Sequence, residues 1–134
     1  MRNVSPQKKR SKLKKKLWQA VSLYVRTRDK GVCITCGRHG EGSGYHCGHF
    51  LPSSICGLYL RYDERNLAGQ CYNCNINLGG WGERFADALE RKHGRAFVDG
   101  VRADKNKSIA DKDYPWEEKI AYFESKLKQL QTVV

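Results

Sequence analysis

The pairs Cys33-Ile-Thr-Cys36 and Cys71-Tyr-Asn-Cys74 decide how this 134-residue chain folds. In each pair two residues separate the cysteines, and this spacing lets a tight turn direct both sulfurs toward one point. Two such pairs supply the four thiolates of a tetrahedral zinc site. The sequence therefore predicts one structural Zn²⁺ bound by Cys33, Cys36, Cys71 and Cys74.

Two strands are predicted between the cysteine pairs, at residues 45–50 and 65–70. Side chains alternate between the two faces of a strand. His49 and Cys47 are therefore expected on one face of the first strand, and His46 on the other. The strands would hold both imidazoles next to the zinc-bound segment.

The segments around the strands are predicted from their breaker residues and their apolar periodicity. Residues 51–59 are rich in Pro, Ser and Gly and are predicted to form a loop. Residues 71–77 are expected to lead into a short helix, and residues 83–93 form a further predicted helix that Gly94 ends. Residues 98–114 have no clear period and are predicted to be a linker.

The N-terminal segment combines a basic run with the start of a helix. Ser5 can cap a helix that begins at Pro6, and Gly31 can end it. Residues 1–31 hold 11 of the 25 Lys and Arg residues and one of the 14 Asp and Glu residues, so nearly all of the net charge of +11 lies there. We expect residues 1–12 to be an arm that stays disordered until a polyphosphate partner neutralises it. A solvated cationic tail is the alternative.

The C-terminal segment, residues 115–134, is predicted to be an amphipathic helix that Pro115 opens. Its apolar stripe recurs at alternating steps of four and three residues: Trp116, Ile120, Phe123, Leu127, Leu130 and Val134. Such a stripe packs against the rest of the same chain or forms the seam of a homodimer. Both arrangements are open at the level of sequence.

Length and composition favour a small α+β protein. With 134 residues, 40% of them hydrophobic, the chain fits one domain. Zinc would constrain its core, residues 13–97, and helices would flank that core at both ends. There is no run of 18 apolar residues and no signal-peptide pattern, so we expect a soluble cytoplasmic protein that does not contact membranes. Disulfide pairing, the alternative for the six cysteines, is disfavoured for the same reason.

Several motifs resemble one protein family, the NinG (Rap) recombination proteins of lambdoid phages. They are Tyr24-Val-Arg-Thr-Arg-Asp29, Cys33-Ile-Thr-Cys-Gly37, Gly48-His49-Phe50, Leu60-Arg-Tyr-Asp-Glu-Arg-Asn66, Gln70-Cys71 with Cys74-Asn75, and Gly79-Gly80. The resemblance covers most of residues 20–95, and the combined spacing is more specific than any single motif. It implies a zinc-stapled ββα-metal (HNH-type) nuclease core. It also implies an endonuclease that cuts branched recombination intermediates, such as D-loops and four-way junctions, in the host cytoplasm, with DNA and recombination proteins as partners.

The resemblance assigns catalytic roles to three residues. His49, at the Gly-His-aromatic position, is the expected general base, because a neutral imidazole accepts a proton from water near pH 7. Asn66 would hold the loop between the strands in position, and Asn75 would bind a catalytic Mg²⁺ or Mn²⁺ through its amide oxygen. The structural alternatives are a buried or zinc-binding histidine, a turn-forming asparagine and a helix cap.

Position 48 departs from the pattern of many HNH enzymes, which carry a metal-binding Asp or His directly before the base. Gly48 leaves the catalytic metal short of one protein ligand. The candidates to complete its coordination are His46, Asp63 and Glu64. Asn77 is a further candidate for the metal or for a phosphate.

The remaining cysteines and several aromatic residues each have two interpretations. Cys47 and Cys56 are buried thiols or, together with His46 and His49, a second metal site. Three aromatic side chains belong to the core or stack on unpaired bases at a branch point. They are Trp81, Tyr59 and Tyr62.

Basic side chains at two places are predicted to bind DNA phosphates by position and charge. Those of the N-terminal segment are Lys8, Lys9, Arg10, Lys12, Lys14, Lys15, Lys16, Arg26 and Arg28. Two more, Arg61 and Arg65, flank the acidic pair before the second strand. Two other functions fit the same residues. One is a noncatalytic zinc module that binds DNA or a recombination protein, and the other is a less selective HNH nuclease.

Overall fold

The fold is a two-stranded sheet surrounded by helices, in agreement with the predicted α+β class. The computed structural model describes residues 5–132. Strands β1 (Tyr45–His49) and β2 (Leu67–Cys71) pair in antiparallel orientation. The helices are, in chain order, α1 (Pro6–Arg28), α2 (Ser53–Arg61), α3 (Gly82–His93), α4 (Arg95–Ala103) and α5 (Trp116–Thr132). Short helical turns occupy Gly42–Gly44, Glu64–Asn66, Asn73–Asn77 and Asp111–Asp113, the third of which is a π-helix. None of the described helices is both long and apolar enough to span a membrane.

Helix α1 begins where the sequence predicts. Ser5 caps the first turn through its hydroxyl oxygen, and Pro6 takes a position where its missing N–H is not needed. Residues 6–12 are helical, in contrast to the disordered arm expected for residues 1–12; residues 1–4 lie outside the described residues. Lysine and arginine are good helix formers, and the cap and the packed end of the helix offset the repulsion among them.

Helices α1 and α5 pack against each other in the first hydrophobic core. Leu17 and Val21 of α1 belong to the same buried cluster as Trp116 and Phe123 of α5. The first half of the apolar stripe of α5, Trp116 to Phe123, is therefore covered within one chain, as in the first of the two predicted arrangements, whereas Leu130 is 37% exposed. A homodimer through α5 stays a prediction and would have to use the exposed side of the helix. Val134, the last member of the stripe, lies outside the described residues.

The sheet separates this core from a second one. Leu67 and Ala68 are consecutive in β2, so their side chains point to opposite faces of the sheet. Leu67 belongs to the first core, whereas Ala68 belongs to a cluster with Phe50, Phe85 and Val101. Helices α2, α3 and α4 supply much of this second core, and helix α1 lies on the other side of the sheet.

Parts of two segments that were predicted to be irregular are helical. Residues 51–59 contain most of α2, although Gly57, with φ 64°, interrupts its helical backbone. Residues 98–114 begin inside α4, where Val98 and Val101 are buried. Packing against the second core stabilises both helices, and a local pattern of breaker residues does not contain that information. The predicted loop is therefore corrected to a helix from residue 53 onward, and the predicted linker is corrected to a helix over residues 98–103; residues 104–110 are irregular, as predicted.

Candidate functional site

The four predicted zinc ligands gather at one point. The sulfur atoms of Cys33, Cys36, Cys71 and Cys74 all lie within 4.8 Å of one another, and the sulfurs of Cys36 and Cys71 are 3.7 Å apart. Tetrahedral Zn–S bonds of about 2.3 Å place their sulfurs about 3.8 Å apart. The cluster therefore has the dimensions of a structural zinc site.

The cluster also fits a cation for an electrostatic reason. Burial and the neighbouring thiols raise the pKa of Cys74 to about 12. Burial also acts on Cys33, but hydrogen bonds from Thr35 and from backbone N–H groups outweigh it and lower the pKa of Cys33 to about 6. Thiolates this close repel one another, so all four ionise only around a positive ion. A Zn²⁺ here would tie the turn after α1 to the end of β2.

A buried glutamine connects this cluster to β1. The Gln70 amide donates to Thr35 Oγ1 at 3.2 Å and to the Gly80 carbonyl at 2.8 Å. Thr35 Oγ1 in turn lies 3.2 Å from the Cys33 sulfur. Gln70 Oε1 packs against Gly48, where a Cβ atom would overlap it. Position 48 therefore has no room for the metal-binding side chain that many HNH enzymes carry there.

His49, the predicted base, is half-buried at the end of β1. Its Nε2 atom lies 2.9 Å from the Arg61 carbonyl oxygen, and its ring stacks on Trp18 of α1 with the centroids 5.3 Å apart. A carbonyl only accepts, so Nε2 carries the proton and Nδ1 keeps its lone pair in the neutral ring. Burial, together with the charge of Arg61, lowers the pKa of His49 despite that hydrogen bond. The imidazole is therefore neutral at pH 7, as a general base requires.

Asn66 is fully buried and holds the connection between β1 and β2. Its Oδ1 accepts the Leu51 backbone N–H at 2.7 Å, and its amide donates to the carbonyls of Leu51 and Leu60. These bonds fix the start of the connection and the last turn of α2. The next carbonyl along α2, that of Arg61, orients His49. Asn66 therefore joins segments that are 15 residues apart in the chain, whereas a turn-forming asparagine bonds only to near neighbours.

Asn75 and His46 form a direct pair. The Asn75 amide nitrogen lies 2.9 Å from His46 Nδ1, and His46 Nε2 lies 2.8 Å from the Ser43 carbonyl oxygen. Both nitrogens of His46 are thus engaged, so we correct its predicted role from metal ligand to partner of Asn75. Asn75 lies inside the π-helix Asn73–Asn77, where it caps nothing. The side-chain oxygen of Asn75, Oδ1, makes no hydrogen bond with any residue between 5 and 132.

An open cleft of about 390 Å³ lies between α1 and this pair. Trp18, Ser22 and Arg26 line it from α1, and His46 and Asn75 line it from the other side. Arg26 donates to Ser22 through Nε alone, which leaves both of its terminal NH₂ groups for a bound anion. His49 does not itself line this cleft; it stacks on the Trp18 indole, which does.

The two acidic candidates for the catalytic metal are engaged elsewhere. The Asp63 carboxylate accepts two N–H groups of Arg65, at 2.9 and 3.1 Å. Glu64 accepts the hydroxyl groups of Tyr24 and Tyr122. Neither carboxylate lines the cleft beside Asn75. The prediction of Asp63 as a metal ligand is therefore corrected: its charge is balanced by a neighbouring guanidinium.

Cys47 and Cys56 are buried thiols, the first of their two interpretations, and do not form a second metal site. Cys47 belongs to the first core and Cys56 to the second. Burial raises the pKa of the Cys47 thiol to about 12, so it stays protonated. Over residues 5–132, the four-cysteine cluster is the one group of three or more His, Cys, Asp and Glu side chains close enough to share an ion.

Three of the predicted phosphate-binding side chains serve the fold instead. Arg28 pairs with Asp29 at 2.7 Å and donates to the Leu67 carbonyl, which fastens α1 to β2. Arg65 bridges two carboxylates, those of Asp63 and Asp104. Arg61 donates to a backbone carbonyl of α2. Their predicted phosphate contacts are therefore corrected to contacts within the protein: carboxylates balance Arg28 and Arg65, and a carbonyl holds Arg61.

The basic side chains of α1 differ in their availability. Lys14 pairs with Asp111 at 2.7 Å. The other predicted ones on the first half of α1 make no ion pair with any described residue, and most of them are exposed. They are Lys8, Lys9, Arg10, Lys12, Lys15 and Lys16.

The three aromatic residues with two interpretations each contact other side chains of the protein. Two further aromatic residues lie at the site and were not singled out from the sequence. Tyr62 is buried in the first core, the Trp81 ring is covered by Arg84, and the Tyr59 ring lies beside Lys107. Trp18 was missed, although its spacing places it on the same face of α1 as Ser22 and Arg26. Tyr72 was missed because it stands between two zinc ligands.

Comparison with known sequences identifies the relatives of this chain. A family profile described as "Bacteriophage Lambda NinG protein" matches residues 2–132. The NinG protein of Salmonella phage P22 is 34% identical over 98 residues, which cover 72% of this chain and 47% of that protein. The NinG proteins of Escherichia phages 933W and lambda are 32% and 31% identical over 101 residues, which cover 75% of this chain and 49% and 48% of those proteins. The match spans about half the length of these curated relatives. No solved structure matches the chain.

Proposed function

Because the chain belongs to the bacteriophage lambda NinG family, we propose that it is a metal-dependent endonuclease acting in DNA recombination. The proposed substrates are branched intermediates, such as D-loops and four-way junctions, and the proposed core is of the ββα-metal (HNH) type. One observation carries the proposal: His49 is oriented by the Arg61 carbonyl with Nδ1 unprotonated, on a strand braced by the cysteine cluster.

The order of the elements supports the proposed core. Strand β1 ends at His49, β2 runs antiparallel to it, and the π-helix Asn73–Asn77 follows β2 after a single residue. Asn66 links the two strands from within the connection. The base, its positioning residue and the candidate metal ligand thus come from the three successive parts of a ββα unit.

The chain supplies the base and its orientation. The Arg61 carbonyl fixes the protonated nitrogen of His49, so Nδ1 takes a proton from the attacking water. Stacking on Trp18 limits the rotation of the ring and excludes water from one of its faces. Arg26 places a fixed positive charge at the cleft, where it balances a phosphate.

Asn75 is the residue that fits a catalytic Mg²⁺ or Mn²⁺. His46 accepts from the Asn75 amide group, which leaves the amide carbonyl as a hard oxygen ligand on the cleft. When bound, such an ion neutralises charge on the phosphate and on the leaving oxygen. Magnesium retains several waters and binds phosphate oxygens, so one protein ligand is compatible with it.

We expect the purified zinc-loaded protein to cut a labelled four-way junction and a D-loop when Mg²⁺ or Mn²⁺ is added, and to leave the matching linear duplex largely intact. The Asn75→Ala variant should lose most of this cleavage, because the metal loses its protein ligand. Product lengths on a denaturing gel measure both results. Binding to the junction without divalent metal should stay within about twofold of wild type.

Asn77→Ala is the matched control for Asn75→Ala. Asn77, the further candidate for the metal, does not line the cleft, and its amide donates to the Asn73 side chain, so this variant should cut normally. Two outcomes favour the rival functions. Binding without cleavage under every metal condition favours a noncatalytic DNA-binding module, and equal cutting of linear and branched DNA favours a less selective nuclease.

The polar side of α1 is the proposed track for one DNA arm. Steps of four and three residues place six polar side chains on one side of the helix. They are Lys8, Lys12, Lys15, Gln19, Ser22 and Arg26. The last two line the cleft, so the stripe leads away from the proposed site. From Lys8 to Arg26 it is about 27 Å long, roughly eight base pairs of duplex.

Replacing Lys8 and Lys15 together with alanine should weaken DNA binding and lower the slope of log K against log salt by about 2, because two phosphate contacts are lost. Lys9 and Lys16 form the matched control pair, since they are equally basic and exposed but are rotated by about 100° around the helix. Binding measured from 50 to 200 mM salt decides the matter. Equal slopes for the two double variants would contradict a track on this side of α1.

A further inference from the structure

The turn that contains the last zinc cysteines also carries exposed apolar side chains. Tyr72 is 50% exposed and Ile76 is 52% exposed, and neither belongs to a hydrophobic core. They are four residues apart on one short helical stretch, so their side chains lie side by side. Neighbouring exposed apolar side chains that polar residues border can form part of a binding site.

This apolar surface adjoins the proposed nuclease site. The Tyr72 ring meets the His46 ring edge-on, with centroids 5.7 Å apart, and Asn75 directly precedes Ile76. His46 and Asn75 both line the cleft. Its opposite wall carries Ser22 and Arg26, where the polar stripe on α1 reaches the cleft. A ligand that covers Tyr72 and Ile76 therefore needs a flat apolar part next to a negative charge.

We propose that Tyr72, with Ile76 beside it, is a stacking platform for an unpaired nucleobase next to the phosphate that is cut. This inference rests on the proposed function and adds to it the feature of the substrate that the site recognises. A nucleobase provides the flat apolar face, and its own phosphate provides the charge that Arg26 balances. A base inside an intact duplex already stacks on both sides, so the platform selects junction points, gaps and forks over linear duplex.

Tyr72→Ala should weaken binding to DNA with unpaired bases by about 5- to 150-fold, the range for loss of one base–aromatic stack. Its affinity for fully paired duplex should stay within about twofold of wild type. The slope of log K against log salt should be unchanged, since no phosphate contact is removed. Tyr72→Phe keeps the ring and should behave as wild type.

The experiment uses the zinc-loaded full chain without added Mg²⁺ or Mn²⁺, so that binding is measured apart from cleavage. The probe is a duplex in which one strand has a three-nucleotide gap and the opposite strand carries 2-aminopurine among its unpaired bases. The same duplex without the gap is the comparison. Wild type should quench the fluorescence of the gapped probe, and Tyr72→Ala should not. Tyr59→Ala is the matched control: its ring is also partly exposed but lies beside Lys107 in another region, and its loss should change nothing.

Three results would overturn the proposal. One is wild-type protein that binds the gapped probe without quenching it, a measurement that does not depend on how any variant folds. Another is Tyr72→Ala with unchanged affinity for the gapped probe, which would leave this surface to a protein partner. The third is an equal loss on gapped and paired DNA. Quenching without cleavage in the presence of Mg²⁺ would overturn the nuclease proposal and leave the platform standing.

Discussion

Replacing His49 with alanine is expected to lower the rate of metal-dependent junction cleavage by about 10²- to 10⁴-fold, the usual contribution of a general base. The affinity for the junction should change little, because the half-buried ring faces Trp18 and the Arg61 carbonyl. Single-turnover cleavage with protein in excess separates the chemical step from binding. The loss should therefore appear in the rate constant and leave the concentration dependence as it was.

The pH dependence of cleavage provides a second readout for the same residue. Burial lowers the pKa of His49 below its ordinary value of 6.5, so the base is already unprotonated at pH 7. The single-turnover rate should hold steady as the pH falls from 7 toward 6.5. It should then fall tenfold per pH unit once the pH passes below the lowered pKa. An acid limb with a midpoint above 6.5 would contradict the assignment of this imidazole as the base.

His39→Ala is the control for this substitution. His39 is an exposed histidine beside Glu41, and it lacks the Arg61 carbonyl contact and the Trp18 stacking that orient His49. Its variant should cut at the wild-type rate with the same pH profile. If His49→Ala cuts as fast as His39→Ala, another group activates the water and the proposed mechanism is wrong.

Removing zinc is expected to unfold the chain. The apparent binding free energy of a four-ligand structural zinc is about 10–16 kcal/mol, whereas a domain of this size has a total stability of about 5–15 kcal/mol. The cluster links the turn after α1 to the end of β2, so the sheet loses its main constraint without the ion. Far-ultraviolet circular dichroism during titration with a zinc chelator should show loss of helix, and added Zn²⁺ should restore it.

Substitution at single cysteines tests the same expectation without a chelator. Cys74→Ser removes one buried ligand and should leave the purified chain with less than one zinc and a strongly lowered melting temperature. Cys47→Ala also removes a buried thiol, but one that lies in the first core away from the cluster. It should keep one zinc per chain and lose only a modest amount of stability. A melting curve that is the same with and without zinc would refute the structural role of the ion.

The parts of the fold that follow from local spacing could be predicted from the sequence. The two Cys-x-x-Cys pairs predict the cluster because the geometry of each turn is set within four residues. The strands and the last helix follow from short periodic patterns. The structure has these elements at Tyr45–His49, Leu67–Cys71 and Trp116–Thr132. Each begins within two residues of its predicted first residue.

The parts that depend on distant partners could not be predicted. Gly57 and its neighbours resemble a loop, and only the second core stabilises them as a helix. Arg65 has the sequence context of a phosphate-binding side chain, and only the structure shows that Asp104, 39 residues later, pairs with it. A partner nearly 40 residues away leaves no periodic trace in the chain.

The candidate site divides in the same way. Asn66 and His49 could be singled out because they lie in motifs that resemble the NinG family. The pairing of His46 with Asn75 needed the register of the sheet and the direction of the π-helix. Trp18 needed the packing of α1 against β1, since 31 residues separate it from the ring on which it stacks.

The contact between Gly48 and Gln70 couples the side chains that these two positions can accommodate. A homologue with Asp at position 48 has no space for it unless position 70 carries a shorter side chain, and a shorter side chain there alone opens a void beside the zinc ligands. We expect each single replacement to lower stability and a compatible pair of replacements to restore it. Acquiring an additional metal ligand in this lineage would therefore require a coordinated double replacement.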